Sequence, residues 1–307
     1  MRVIPIIPVD DMALVSSNIP ENDFAQWSAS VTYTKKERVI SVATHSIYES
    51  AISGNVGKNP DLADNLVSES NPGGAWIYVS KTNKWRAFDG RNSAKSRNAG
   101  SITFEFLVSQ TAEVIALTGL EGQSVRVRVE NGSGETTFDE TQQLLDTSTV
   151  RTWFQYFTFE PLDYVDAVVF YPISALAGYK IFVTIDAGPG VAAVSIIGYG
   201  RRRVLGILQS GTTPKIQDFS TKETDIFGER VIVKRAYSRE IEFQIAIRTE
   251  DYRRVERLLI PLRATPAIYY EGESLKHNLI VSGIFSDFSP PLQASMTYAT
   301  LTILGDI

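Results

Sequence analysis

Cysteine is absent from the chain and histidine nearly so, with two among 307 residues. The first absence removes disulfide frameworks, thiolate metal sites and cysteine nucleophiles together, and it leaves the redox compartment open. The second restricts any zinc site or nucleophilic triad to His45 and His277, neither of which has a second histidine or a tight carboxylate cluster nearby in sequence. Both read as satisfied or exposed side chains. A long apolar run is missing too: MRVIPIIPVDD carries Pro5 and Pro8 and is apolar for too few residues to be a signal peptide or a membrane span. The expectation is a protein made and used without passing a secretion signal. Charge of one sign is not in large excess, and a net charge of −5 gives no general attraction to nucleic acid or anionic lipid. No G-x-S-x-G elbow occurs, GNVGKN at 54–59 lacks the spacing of a phosphate-binding loop, and no carboxylate pair stands out for glycoside hydrolysis. No metal and no cofactor is expected.

What is present is the composition of a folding, globular protein, 43% hydrophobic and 21% charged. The length exceeds what one core usually supports, so two or three domains are expected. The prevailing period is two. SITFEFLVS places Ile102, Phe104, Phe106 and Val108 on one side, and QSVRVRVEN does the same with Val125, Val127 and Val129. YKIFVTIDA and REIEFQIAI alternate in the same way, while ENGSGE and DAGPG supply turn residues. The spacing switches once. In TEDYRRVERLLIPLRA, Tyr252, Val255, Leu258, Leu259 and Leu262 recur at three and four, which predicts one amphipathic helix with Thr249 as N-cap and its end just before Pro261. The expected class is mainly β: a small aromatic β module over 1–80, a jelly-roll-like β-sandwich over 81–199, and a C-terminal β domain with one helix over 200–307. The break at GYGRRRVLG sets the second boundary. Its Arg201, Arg202 and Arg203 can grip phosphate or an acidic partner, but a solvated linker is the preferred reading. Asp89, Asn92 and the ENGSGE acids match no defined calcium loop, and turn chemistry explains them better.

Aromatic residues crowd the first ninety positions, above all in AWIYVSKTNKWRAFDG (75–90). Trp27, Tyr33, Val39, Tyr48, Asn59, Pro60 and Trp76 fall in the order of small chitin-binding modules, which this segment resembles over about sixty residues. It departs from them where Glu37-Arg38 replaces a Gly-Asp turn and where the stretch between Pro60 and Trp76 is long. An exposed indole or phenol presents an apolar face to a sugar's C–H side, whereas a ring turned inward fills a core. Trp27 and Trp76 are read as core. Tyr33, Tyr48 and Trp85, set among polar residues, are the candidates for exposure and for carbohydrate contact.

The second half carries a further resemblance. IQDFSTKETDIFGERVIVKRAYSREIEF (216–243), then LRATPAIYYEG and VSGIFSDFSPPLQASMTYATLTILGD, is similar to the C-terminal region of tail and baseplate proteins of tailed bacteriophages. Upstream, Trp76, Val79, Thr82, Asn83, Trp85, Phe88 and Asp89 match a segment found in the same proteins. The resemblance implies a structural component of a tail tip or baseplate, located in the virion after assembly in the host cytoplasm. Its partners would be other tail proteins, further copies of itself in a ring, and host-surface glycan. Lys222, Glu223, Asp225, Glu229 and Arg230, alternating in sign, are the candidate assembly contacts. A polysaccharide hydrolase on the same architecture is the alternative.

Overall fold

The structure, a computed structural model, describes residues 1–145, 152–157, 165–224, 228–235, 237–272, 278–291 and 293–305. It is mainly β, with 50% of residues in strands and 8% helical. Among the described residues, all the strands paired into sheets run antiparallel to their neighbours.

Period-two patterns build the outermost layer. Leu14–Ser17, Ser96–Leu107, Lys180–Val194, Ser124–Glu130 and Thr136–Gln143 form a five-stranded sheet in that order. Phe104, Phe106, Val125, Val127, Val129, Ile181 and Val183 point inward to a large core, and polar residues alternate outward. The opposite wall of this core is a second sheet, ordered Ala167–Phe170, Val114–Thr118 and Ile196–Gly200. VIALT, AVVF and IIGYG do not alternate because both of their faces are buried. Ile115, Leu117, Val168 and Phe170 face the sandwich core. Val114, Ala116, Ala167, Val169 and Ile196 face the other way, into a second apolar layer with Ile4, Ile268, Tyr270 and Ile280. Gly198 belongs to this layer. A Cβ there would lie 2.6 Å from Ile268 Cδ1, so glycine is what allows the two sheets to approach.

The third sheet has eight strands. Arg203–Val204, Arg2–Pro5, Ala267–Tyr270, Ile280–Phe288, Met296–Gly305, Tyr237–Arg248 and Ile207–Leu208 follow in order, and Thr213–Asp218 also pairs with Tyr237–Arg248. Its far face packs Phe243, Ile245, Tyr269, Leu301 and Ile303 against Val255, Leu259 and Leu262 of the helical run. The helix Tyr252–Leu259 stands where the three-and-four spacing predicts it. A tighter turn, Ile260–Leu262, accommodates Pro261 after its end. The N-cap expectation is corrected: Thr249 Oγ1 donates to Gln293 O at 2.8 Å, which ties the helix entry to the segment that leads into the last strand. A five-residue helix, Trp153–Phe157, lies outside the predicted elements.

The expected segment 1–80 does not stand by itself. Arg2–Pro5 pairs with Ala267–Tyr270, and Leu14–Ser17 with Ser96–Leu107. Val3 and Ile4, both fully buried, serve cores on opposite faces of the eight-stranded sheet, which fixes that strand in its interior. The module proper keeps a small sheet, Arg38–Ser41, Ser46–Ser50 and Trp76–Lys81. Near residue 200 the chain crosses from the three-stranded to the eight-stranded sheet, as Arg203–Val204 pairs with Arg2–Val3. The arginine triplet is therefore more than a linker, and Arg202 stacks over the Tyr171 ring at 3.8 Å.

Candidate functional site

The expectation that Tyr33, Tyr48 and Trp85 are exposed is overturned, since they retain only 3%, 4% and 5% of their accessible surface. The module is short of aliphatic side chains, so rings fill its core: Tyr33, Val39, Tyr48, Ala75 and Trp76, with Trp27 packed beside them. Polar neighbours that suggest exposure in sequence instead satisfy the hydroxyls of Tyr33 and Tyr48, whereas the Trp85 indole N–H is buried without a hydrogen-bond partner. Ser28 N donates to Tyr33 Oη at 2.7 Å, Tyr48 Oη meets Thr44 Oγ1 at 3.1 Å, and Trp76 Nε1 donates to Lys58 O at 2.7 Å. Trp85 belongs to the sandwich core, with His45 stacked on it at 4.2 Å. Thus the stretch 75–90 is a junction, with Trp76 closing one core and Trp85 opening the next. Asn83 locks it, exchanging bonds of 2.7 and 2.8 Å with the backbone of Arg97.

Lys222, Glu223, Glu229 and Arg230 are exposed on a hairpin, Thr221–Thr224 paired with Arg230–Val233, while Asp225 and His277 lie outside the described residues. Among the described residues this two-stranded sheet joins no other sheet. Val231 and Val233 on one face and Ile232 on the other are 50%, 52% and 59% exposed. An isolated two-stranded hairpin is marginal in water, and an apolar one needs a cover. The exposed Trp153, Phe154 and Phe157 form another apolar surface. Their cluster, WFQYF, shows neither strand nor helix periodicity over a useful length, and the charge pattern draws attention elsewhere.

A cleft of about 270 Å³ opens where the three-stranded and eight-stranded sheets part. Asn92, Lys95, Thr118, Asp166 and Ser195 line one wall, and Tyr237, Arg239, Ile280, Ser282 and Gly305 the other. Strand ends supply nearly all of these side chains. Thr118 Oγ1 donates to Asn92 Oδ1 at 3.3 Å and Ser195 Oγ to Asn92 O at 3.4 Å, which positions the loop. Asn92, read from sequence as a turn residue, is thus also a lining residue. Arg239 meets Asp166 across the opening at 2.6 Å. Lys95 and Arg97 both bind Glu121 at 2.8 Å. Burial pushes the Glu121 carboxyl up, but the hydrogen bonds from Lys95 and Arg97 outweigh it and hold the group below its ordinary value. A second concavity, of about 380 Å³, on the outer face of the five-stranded sheet surrounds Phe182. Its charges pair with one another, Lys180 with Glu105, Arg126 with Asp139 and Arg128 with Glu130.

Among the described residues, no three of His, Cys, Asp and Glu cluster to hold a metal ion, and no helix is long and apolar enough to cross a membrane.

No protein-family profile matches the chain, and no curated protein matches it. Among solved structures, it is similar to a mutant of chitosan-binding module 1 from a chitosanase/glucanase of Paenibacillus sp. IK-5, at 20% identity, over 38% of this chain and 84% of that one. The TM-score is 0.25, too low to carry an argument about fold or ligand.

Proposed function

We propose that the chain is a structural component of a bacteriophage tail tip or baseplate, which assembles in several copies and touches host-surface polysaccharide. The observation that carries the reading is a hairpin that, among the described residues, joins no other sheet and leaves Val231, Ile232 and Val233 half exposed. Such a strand pair is a poor investment for a monomer and an effective arm for an assembly, because a neighbour supplies the missing apolar cover. The alternating Lys222, Glu223, Glu229 and Arg230 set the register of that contact, since like charges brought together cost more than each exposed pair contributes. A head-to-tail contact of this kind closes into a ring when its rotation allows. Resemblance of residues 216–243 to tail and baseplate proteins supplies the setting.

Binding is favoured over hydrolysis by the cleft's composition. Asp166 is the one carboxylate among its described lining residues, and it is engaged by Arg239, whereas glycoside hydrolysis generally uses two carboxyl groups across the scissile bond.

Sedimentation of the purified full chain tests the assembly, with concentration-dependent oligomers expected and their weakening by Lys222→Glu combined with Arg230→Glu. Immunogold electron microscopy of tailed particles tests the setting. Label confined to the tail end supports it, and unlabelled tails on particles from a producing culture would remove the tail assignment.

A further inference from the structure

Most of the contact between the sandwich and the eight-stranded sheet is sealed by the apolar layer of Val114, Ala116, Ala167, Val169, Ile4, Ile268 and Ile280. The seal stops at the cleft, where the lining turns polar although the site stays partly enclosed. We propose that this cleft binds one carboxylate-bearing sugar residue of an acidic polysaccharide. The inference rests on the glycan-contact part of the reading above and names its site and ligand class.

Size is the first constraint. A volume near 270 Å³ falls just below the range of roughly 300–1,000 Å³ that holds drug-sized ligands, so it suits a single ring with its substituents. The walls are the second. Ala167 and Ile280 offer apolar surface for a sugar's C–H face, and Tyr237, 56% exposed, stands among the described lining residues as the one aromatic ring. Asn92, Ser93 and Thr118 add amide and hydroxyl groups of the kind that orient a polyol.

Ser282 is the independent observation. It is buried, it lines the cleft, and its Oγ has no hydrogen-bond partner. Ser282 lies opposite Ile268 in the strand register, and Ile268 faces the layer between the sheets, so the serine side chain turns toward the cleft and not toward the helix. A buried hydroxyl without a partner is a cost to the free protein. A ligand hydroxyl or carboxylate oxygen supplies what it lacks.

Charge selects among sugars. Of the charged lining residues, Lys95 and Arg239 stand against Asp166, leaving one positive charge in excess in the lining, and just outside it Arg97 shares Glu121 with Lys95, within a chain of net charge −5. A positive site in a negative protein discriminates against amino sugars and favours a carboxylate, which an arginine can bind through two parallel bonds. By contrast, the face around Phe182 neutralises itself and offers no such excess.

Isothermal titration calorimetry of the full chain decides the matter, using trigalacturonic acid, neutral cellotriose and cationic glucosamine trimer as probes. Trigalacturonate should bind about tenfold or more tightly than cellotriose, the cationic trimer should not bind, and added salt should weaken the complex. Ser282→Ala should weaken trigalacturonate by about five- to tenfold without lowering thermal stability, and Arg239→Gln should weaken it further. Equal binding by both variants and the wild type would place the sugar site elsewhere and leave glycan contact intact. Equal affinity for the acidic and neutral trimers would remove the charge assignment. Failure of all three probes would overturn the cleft and the glycan contact together, while the sedimentation result stands or falls separately.

Discussion

Replacing Val231, Ile232 and Val233 together by threonine isolates the apolar part of the proposed assembly contact. Threonine keeps the β-branched shape that a strand favours, and the backbone pairing of Thr221 with Val233, Lys222 with Ile232 and Glu223 with Val231 is left untouched. The three side chains are 50%, 59% and 52% exposed, so about half of each remains to be buried by a neighbour. Full burial of a valine or isoleucine contributes about 1.5–3 kcal/mol, and half of that for three residues is roughly 2–4 kcal/mol per contact. The energy is an upper figure, because ordering an interface costs part of it. A loss of about 3 kcal/mol still corresponds to more than a hundredfold weaker association. Sedimentation velocity over about a hundredfold range of concentration should show the wild type shifting to larger species and the triple variant remaining monomeric. Circular dichroism and melting temperature should match, since no hairpin residue belongs to a core cluster among the described residues. A monomeric wild type at all concentrations, or a variant with the same concentration dependence, would refute the assembly arm.

Trp76→Ala removes the largest fully buried side chain of the aromatic module and its bond to Lys58 O, and should cost about 3–5 kcal/mol locally. Hydrogen exchange should accelerate across Arg38–Ser50 while Ser96–Leu107 stays protected, and uniform acceleration of both would show that the module is not a separate unit. Gly119→Ala should destabilise by about 2–4 kcal/mol, because φ is +64° and the new Cβ would lie 2.0 Å from Ser195 Oγ. Thermal denaturation should show partial rescue by Ser195→Ala, and an unchanged melting temperature in the single variant would mean that the backbone relaxes freely. Acid should destabilise the sandwich. Hydrogen bonds from Lys180 and Arg126 hold the carboxyls of Glu105 and Asp139 below their ordinary values of 4.5 and 3.8, so the unfolded chain binds more protons. Their contribution is complete above about pH 5 and is lost as pH falls through the folded-state values, a modest effect for exposed pairs that differential scanning calorimetry should detect as a falling melting temperature. A melting temperature that rises toward pH 3 would reverse the assignment.

Little of the candidate site was legible in the chain. Asn92 reads as turn chemistry, Arg239 as the polar face of a strand and Ser282 as an unremarkable strand residue. They meet only because strands separated by up to two hundred residues end at the same place between two sheets. The arm was partly legible, since its charge alternation is local, but the isolation of its two strands is a property of the sheets around it.

Local pattern determined what needed only one face of one element. Alternation over 101–109, 123–131, 179–187 and 239–247 marked parts of the half-buried strands Ser96–Leu107, Ser124–Glu130, Lys180–Val194 and Tyr237–Arg248, and three-and-four spacing placed the helix Tyr252–Leu259. DAGPG, read as a turn, instead lies inside Lys180–Val194, where it only shifts the register between Asp186 and Val191. Tertiary structure decided everything that depended on two faces or on distant partners. VIALT, AVVF and IIGYG carry no period because apolar layers cover them on both sides. Arg2–Pro5 joins Ala267–Tyr270 through backbone hydrogen bonds, which leave no mark on residue type. Tyr33, Tyr48 and Trp85 look exposed among polar neighbours, yet a ring is buried by what packs against it in space, and the polar groups beside it in sequence serve its hydroxyl or the turn.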